Sequence, residues 1–215
     1  RLFDSHIRST EPTFLGWVVA VMCYQPFWGA VFGSLYISYN SGRDWSNLFW
    51  DMPWVHFSYG AVILSLVVIY VWASMAFGIR FSNLTHRGIL TNGAYRYTKH
   101  PAYISKNLSW WLIFMPFLMA PEFDDKLRLS LLLILQNVIY FFRSRTEERH
   151  LSMDADYIAY STYIEKHGMF AWVGRWLPVL KFKPGQLFNV ESKPARTTAV
   201  GGDTGRSVES AYDKV

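Results

Sequence analysis

Four long apolar stretches, separated by short polar segments, run through the chain from residue 14 to residue 142. A helix needs about 20 mostly apolar residues to cross a hydrocarbon core of roughly 30 Å. Residues 14–39 form the first run, interrupted by Gln25-Pro26, and that interruption predicts a kink or a helical hairpin rather than a straight rod. Residues 55–79 form the clearest run, with no formal charge between His56 and Arg80. Residues 103–120 carry Lys106 and Asn107 near their start, which predicts a first turn at the membrane interface. The fourth run, 127–142, is short, but its helical pattern continues through Glu148. The pattern predicts an all-α integral membrane bundle of about four main spans, occupying residues 1–180. Residues 181–215, rich in Gly, Ser, Thr, Lys and acids, read as a polar cytoplasmic tail with little order. No internal repeat is visible.

Loop charges orient these spans. The 80–102 connection holds Arg80, Arg87, Arg96 and Lys99 with no acid, and Arg143, Arg145 and Arg149 follow the fourth run. The 40–54 segment sets Arg43 against Asp44 and Asp51, and 121–126 sets Lys126 against Glu122, Asp124 and Asp125. Lys and Arg are retained on the cytoplasmic side, so the basic loop, the region after Phe142 and both termini are expected there. An even number of spans agrees with that orientation.

Composition sharpens the membrane reading. Hydrophobic residues make up 51% of the 215, aromatics 18% and charged residues only 17%, against about 25% charged in ordinary soluble proteins. The net charge of +5 could suit nucleic acid, but the basic residues flank apolar runs, so topology explains them and no nucleic-acid partner is expected. The single cysteine, Cys23, excludes a disulfide framework and a cysteine-based zinc site. The chain begins at Arg1 without an initiator Met. Its first apolar run is too long for a signal peptide and lacks a small-residue cleavage site.

Two polar clusters could carry chemistry. The first reads Thr91-Asn92-Gly93-Ala94-Tyr95-Arg96-Tyr97-Thr98-Lys99-His100-Pro101-Ala102-Tyr103. Asn92-Gly93 signals a turn, and Pro101 suits the first position of the next helix, which puts His100 at a helix start on the cytoplasmic face. A basic membrane anchor with interfacial tyrosines would look similar. The second cluster is Arg143-Ser144-Arg145-Thr146-Glu147-Glu148-Arg149-His150-Leu151. At 100° per residue, Gln136, Tyr140, Arg143 and Glu147 share one helix face, with Asn137, Ser144 and Glu148 beside them. This polar stripe runs from membrane depth to a pair of acids and must face a cavity or another helix. Arg143 and Glu147 are also a routine i,i+4 pair. No HExxH or other metal-ligand spacing, P-loop, G-x-S-x-G or G-x-G-x-x-G motif occurs, so no metal is expected.

The stretch 93–103 resembles the G-P-Y-x-x-x-R-H-P-x-Y motif of the isoprenylcysteine carboxyl methyltransferase and phospholipid methyltransferase superfamily. The second cluster, followed by Asp156-Tyr157-Ile158-Ala159-Tyr160 and Arg175-Trp176-Leu177-Pro178, is similar to that superfamily's Glu-Glu segment. The likeness covers roughly residues 55–180. This chain departs from the motif at Ala94 for Pro, Lys99 for Arg and Ser105 for a frequent Gly. Lysine lacks arginine's planar two-pronged donor. The resemblance implies an S-adenosylmethionine-dependent membrane methyltransferase acting on a lipid or lipid-modified acceptor. It implies a cytoplasmic cofactor pocket between the His-Pro loop and the C-terminal helices. Tyr95, His100, Pro101 and Tyr103 would line it from one side, and Glu147 and Glu148 from the other. His100 and Glu148 are the expected catalytic groups, with His150 a further proton acceptor for an amine substrate. A carboxylate acceptor would need no base, and the residues leave carboxylate, amine and thiol open. The alternatives are an NADPH-dependent reductase, since the C-terminal halves of membrane sterol reductases look similar, and a non-catalytic membrane module.

Overall fold

The computed structural model describes residues 7–30, 45–76, 84–86, 88–120, 122–177 and 180–182. The second half of the first apolar run, Arg43 and Asp44, Arg80 and Arg87, Pro178 and the tail from residue 183 lie outside the described residues.

The chain is mostly helical. A two-residue strand, β1 (Ser9–Thr10), precedes helix α1 (Phe14–Met22). The short α2 (Trp45–Leu48) leads into α3 (Pro53–Met75), and strand β2 (Thr85–His86) follows. A 3-10 turn (Gly93–Arg96) then enters α4 (Pro101–Phe114) and the short α5 (Pro116–Met119). The long α6 (Phe123–Leu151), α7 (Ala155–His167) and the six-residue α8 (Ala171–Trp176) complete the order. The antiparallel β1–β2 ladder pairs Ser9 with His86 and Thr10 with Thr85. That small ladder is the one departure from the expected all-α architecture among the described residues.

Among the described residues two helices, α3 and α6, are long and apolar enough to cross a membrane. At 1.5 Å per residue, the 23 residues of α3 reach roughly 35 Å, enough for the hydrocarbon core. Its large apolar side chains point outward, with Trp54 84% and Phe57 71% exposed, while Ile63 and Ala73 are buried. A helix apolar all round fits a lipid surround. Helix α6 carries Asp124 and Asp125 in its first turn and Arg149 and His150 in its last, each matched to the local end of the helix dipole.

The other two expected spans are interrupted, both next to a proline. Helix α1 stops at Met22, before Gln25-Pro26, and helical turns resume at Phe27. The 103–120 run is divided at Met115, which adopts φ 37° and ψ 52° ahead of Pro116. Proline's ring excludes the residue before it from the right-handed helical region, so α4 ends and α5 begins afresh.

Helix α4 packs between α3 and α6, and α1 lies against α6. Tyr59 donates from α3 to the carbonyl of Leu112 on α4 at 2.9 Å. Val19 and Ile139 join α1 to α6, supported by Met22, Cys23 and Trp28. At the far end of α3, Ala73 packs on Ala94 and Tyr95. Beyond the end of α6, Tyr157, Tyr160 and Ile164 form a third cluster with Ile89, Leu151 and Phe182. The start of α4 and the ends of α3 and α6 therefore meet at one end of the bundle, under α7.

Candidate active site

The basic loop is shaped by two residues. Gly93 begins the 3-10 turn at φ 61°, and a Cβ there would lie 3.3 Å from the Trp72 ring. Pro101 opens α4 with His100 as its N-cap, and the His100 carbonyl accepts from Ile104 N at 3.1 Å. Tyr95 is buried; it donates to the Ala73 carbonyl at 3.3 Å, and its own carbonyl accepts from the Tyr160 hydroxyl at 2.6 Å. Burial, then the nearby Glu147 and Tyr160, raise the Tyr95 phenol well above its usual range. Burial likewise raises Tyr157, with Glu148 adding to it. Both rings therefore stay neutral.

The structure brings the two sequence clusters together across more than 40 residues of chain. Tyr103 donates to Glu147 at 2.7 Å, and Arg143 Nε donates to the Tyr103 oxygen at 3.0 Å. His100 Nε2 lies 3.1 Å from Glu148, with the His100 and Tyr103 rings stacked at 5.5 Å. Glu148, 3% exposed, is also met by Lys99 at 2.8 Å and Arg145 at 2.8 Å. A buried carboxylate needs such compensation, because desolvation costs several kcal/mol per ion. Lys99 bonds Glu165 of α7 as well, at 2.7 Å. The lysine that departs from the family motif thus spreads one charge over carboxylates on two helices, which its compact ammonium can do.

Two cavities flank this cluster. The first, about 260 Å³, is the more polar of the two and rich in aromatic rings, and its wall includes Tyr95, Tyr157, Tyr160, Arg143 and Glu147. The second, about 570 Å³, is more apolar and runs beside Ile104, Leu108, Trp111, Phe141 and Asn137. Lys99, His100, Tyr103 and Tyr140 line both. Of the six residues expected at the cofactor, Tyr95, His100, Tyr103 and Glu147 border the polar cavity, and Glu148 borders the apolar one. Pro101 is buried in the first turn of α4, where its carbonyl accepts from Ser105 at 2.7 Å. The polar stripe divides in the same manner. Asn137 and Ser144 face the apolar cavity, while Gln136 is packed away at 1% exposure.

Several contributors were not anticipated. Lys106, expected at the interface, is enclosed by the rings of Trp110, Tyr140, Tyr70 and Trp28 at 4.8 to 6.0 Å and donates to the Tyr140 hydroxyl at 2.9 Å. A charge inside an apolar run was its signal. The N-terminal segment is anchored beside the polar cavity, on residues at the ends of α6 and α7, with no such signal. Buried Glu11 accepts from Arg149 at 2.8 Å, Ser9 meets His150 at 2.8 Å, and Arg8 pairs with Asp154 at 3.1 Å. Strand β2 brings His86 to a T-shaped contact with His150 at 6.5 Å. Burial lowers the His86 imidazole below its usual range; Asp154 opposes that shift and Arg8 adds to it.

No curated protein and no solved structure matches the chain. The isoprenylcysteine carboxyl methyltransferase (ICMT) family model matches residues 54–153. That segment contains α3, the His-Pro loop, α4 and the whole of α6 with both glutamates. Over that segment, just under half of the chain, the protein is similar to the isoprenylcysteine carboxyl methyltransferase family, a likeness that supports its place in that superfamily.

Proposed function

We propose that the protein transfers a methyl group from S-adenosylmethionine to a lipid or lipid-modified acceptor at the cytoplasmic membrane boundary. The observation that carries this reading is the direct union of the two motif halves, His100 with Glu148 and Tyr103 with Glu147.

The donor set of the polar cavity fits this cofactor. Arg143 and Glu147, opposite charges joined through Tyr103, suit a carboxylate and an ammonium, the two groups of its amino-acid end. The rings of Tyr95, Tyr157 and Tyr160 suit a flat heterocyclic base. The bound cofactor supplies a methyl group on a positively charged sulfur. The cavity walls exclude water and hold the reactants in line, which matters more for such a displacement than a strong catalytic group. Glu148 keeps His100 and Lys99 in place, and His100 lies on the wall common to both cavities. There it is available to accept a proton from an amine acceptor; a carboxylate acceptor releases none.

The apolar cavity suits the acceptor's chain. Each CH₂ buried in an apolar setting contributes about 0.8 kcal/mol, which favours lipid over soluble acceptors. The test is photocrosslinking of labelled S-adenosylmethionine to purified protein, with NADPH binding measured in parallel. His100→Ala and Glu148→Ala should each weaken cofactor binding by about 1–3 kcal/mol. Turnover should fall as acceptor chains shorten, and Asn137→Leu should disturb that dependence. NADPH binding without S-adenosylmethionine binding would replace the reading with a reductase. Unchanged cofactor affinity in both variants would reduce the cluster to a structural anchor.

A further inference from the structure

Helix α8 has two unlike faces. Phe170 at its N-cap, with Ala171, Val173 and Gly174, borders the apolar cavity. At Gly174 an added Cβ would come 3.3 Å from Lys181, so the small residue lets the returning chain pass close. Met169, Trp172 and Trp176, spaced three and four apart, share the outward face. They are 59%, 58% and 80% exposed, and Leu177 and Leu180 beside them are exposed as well. Exposed Lys166 and His167 precede this patch, and exposed Lys181 follows it. A contiguous aromatic surface of this kind marks a partner.

The position of α8 selects the partner. Met169 N donates to the Tyr97 carbonyl at 2.9 Å, and Arg145 donates to the Lys181 carbonyl at 3.0 Å. The chain just before α8, and again at Lys181 after it, is thereby held at the site. The cavity it borders is completed by Leu108 and Trp111 of α4 and by Asn137 and Phe141 of α6. These residues sit where the outward apolar face of α6, ending at half-exposed Phe142, gives way to Arg143. That is the level at which hydrocarbon meets headgroups. Indole carries a large apolar body and one N–H donor, the combination enriched at that boundary, and flanking lysines suit anionic headgroups.

We infer that α8 is an interfacial helix whose Trp172 and Trp176 sit in the headgroup region of the bilayer and which rims a lateral mouth of the apolar cavity. Helix α8 shares its cavity with α4 and α6 at the level where the apolar face of α6 ends, a level that a soluble protein partner would not require. The placement of α8 stands on the geometry alone; its role for an incoming acceptor rests on the proposed methyl transfer.

The experiment places spin labels at Met169→Cys and Trp172→Cys, each in a Cys23→Ala background. The full chain is reconstituted in vesicles of phosphatidylcholine and phosphatidylglycerol. A label at Thr162→Cys, on the exposed side of α7, serves as the water-facing control. Oxygen should relax both α8 labels in preference to a water-soluble nickel chelate, and the control should show the reverse. Preference for the chelate at all three sites would overturn the placement and point to solvent or a protein partner. In the second arm, Trp172→Ser with Trp176→Ser should raise the KM for long-chain acceptors several-fold, with kcat and S-adenosylmethionine affinity unchanged. Bilayer-exposed labels with an unaltered KM would overturn the role at the cavity mouth. Absence of any methyl transfer would sink the proposed function and leave the first arm to decide where α8 lies.

Discussion

Tyr103 shows how much one hydroxyl can hold. It joins Arg143 to Glu147 and, through its ring, stacks on His100. Tyr103→Phe keeps the stack and removes the bridge, leaving a buried arginine short of one acceptor; such losses cost about 1–3 kcal/mol. The variant should fold, and calorimetry should show S-adenosylmethionine binding weakened on that scale. His86 acts through pH. Its folded pKa is lowered, so below about pH 6.5 the unfolded chain takes up a proton that the buried ring refuses. Stability is therefore fully present above that pH and declines as pH falls toward the folded value. Thermal unfolding in detergent should lose midpoint temperature through that window, and His86→Gln should flatten the loss. A slope unchanged by the substitution would assign the effect to other groups.

At the scale of elements, the β1–β2 ladder is too short to stand alone, since two isolated strands are marginal in water. It is held by ion pairs to the ends of α6 and α7, with Glu11 only 5% exposed and bonded to Arg149 and Thr13. Glu11→Ala removes one partner of a buried pair, a change on the order of 3–5 kcal/mol. Hydrogen exchange at Arg8 N and Glu11 N, which bond the His86 and Leu84 carbonyls, should accelerate in that variant, with exchange in the core of α6 unaffected. Equal acceleration in both would mean that the ladder and the bundle open together. The existence and approximate extent of α3 and α6 were readable from apolar runs. The ends of α1 and α4 were less so, because Gln25-Pro26 drew attention in the sequence while Pro116 lay inside an apolar block. A proline there costs a hydrogen bond that only neighbouring helices can replace.

For the whole molecule, the site gathers at one end of the bundle, and α6 carries the chain roughly 43 Å from Phe123 to Leu151 at 1.5 Å per residue. The positive loop charges are the reason for proposing that the site end faces the cytoplasm. Single cysteines at Asn92 and Phe123, in a Cys23→Ser background, should react with an impermeant reagent from opposite sides of the membrane. Labelling from the same side would refute the topology.

The membrane class, the two long helices and the presence of a His-Pro loop followed by a Glu-Glu segment were all legible in the sequence. Each is local, set by runs of apolar residues or by a few residues at fixed spacing. Only tertiary structure decided that Glu147 and Glu148 serve different cavities and that Lys106 is enclosed by four rings. The same holds for the first strand, which latches onto Arg149 and His150. Adjacent residues on a helix point about 100° apart, so neighbours in sequence face different surroundings, and what fills those surroundings depends largely on other elements of the chain.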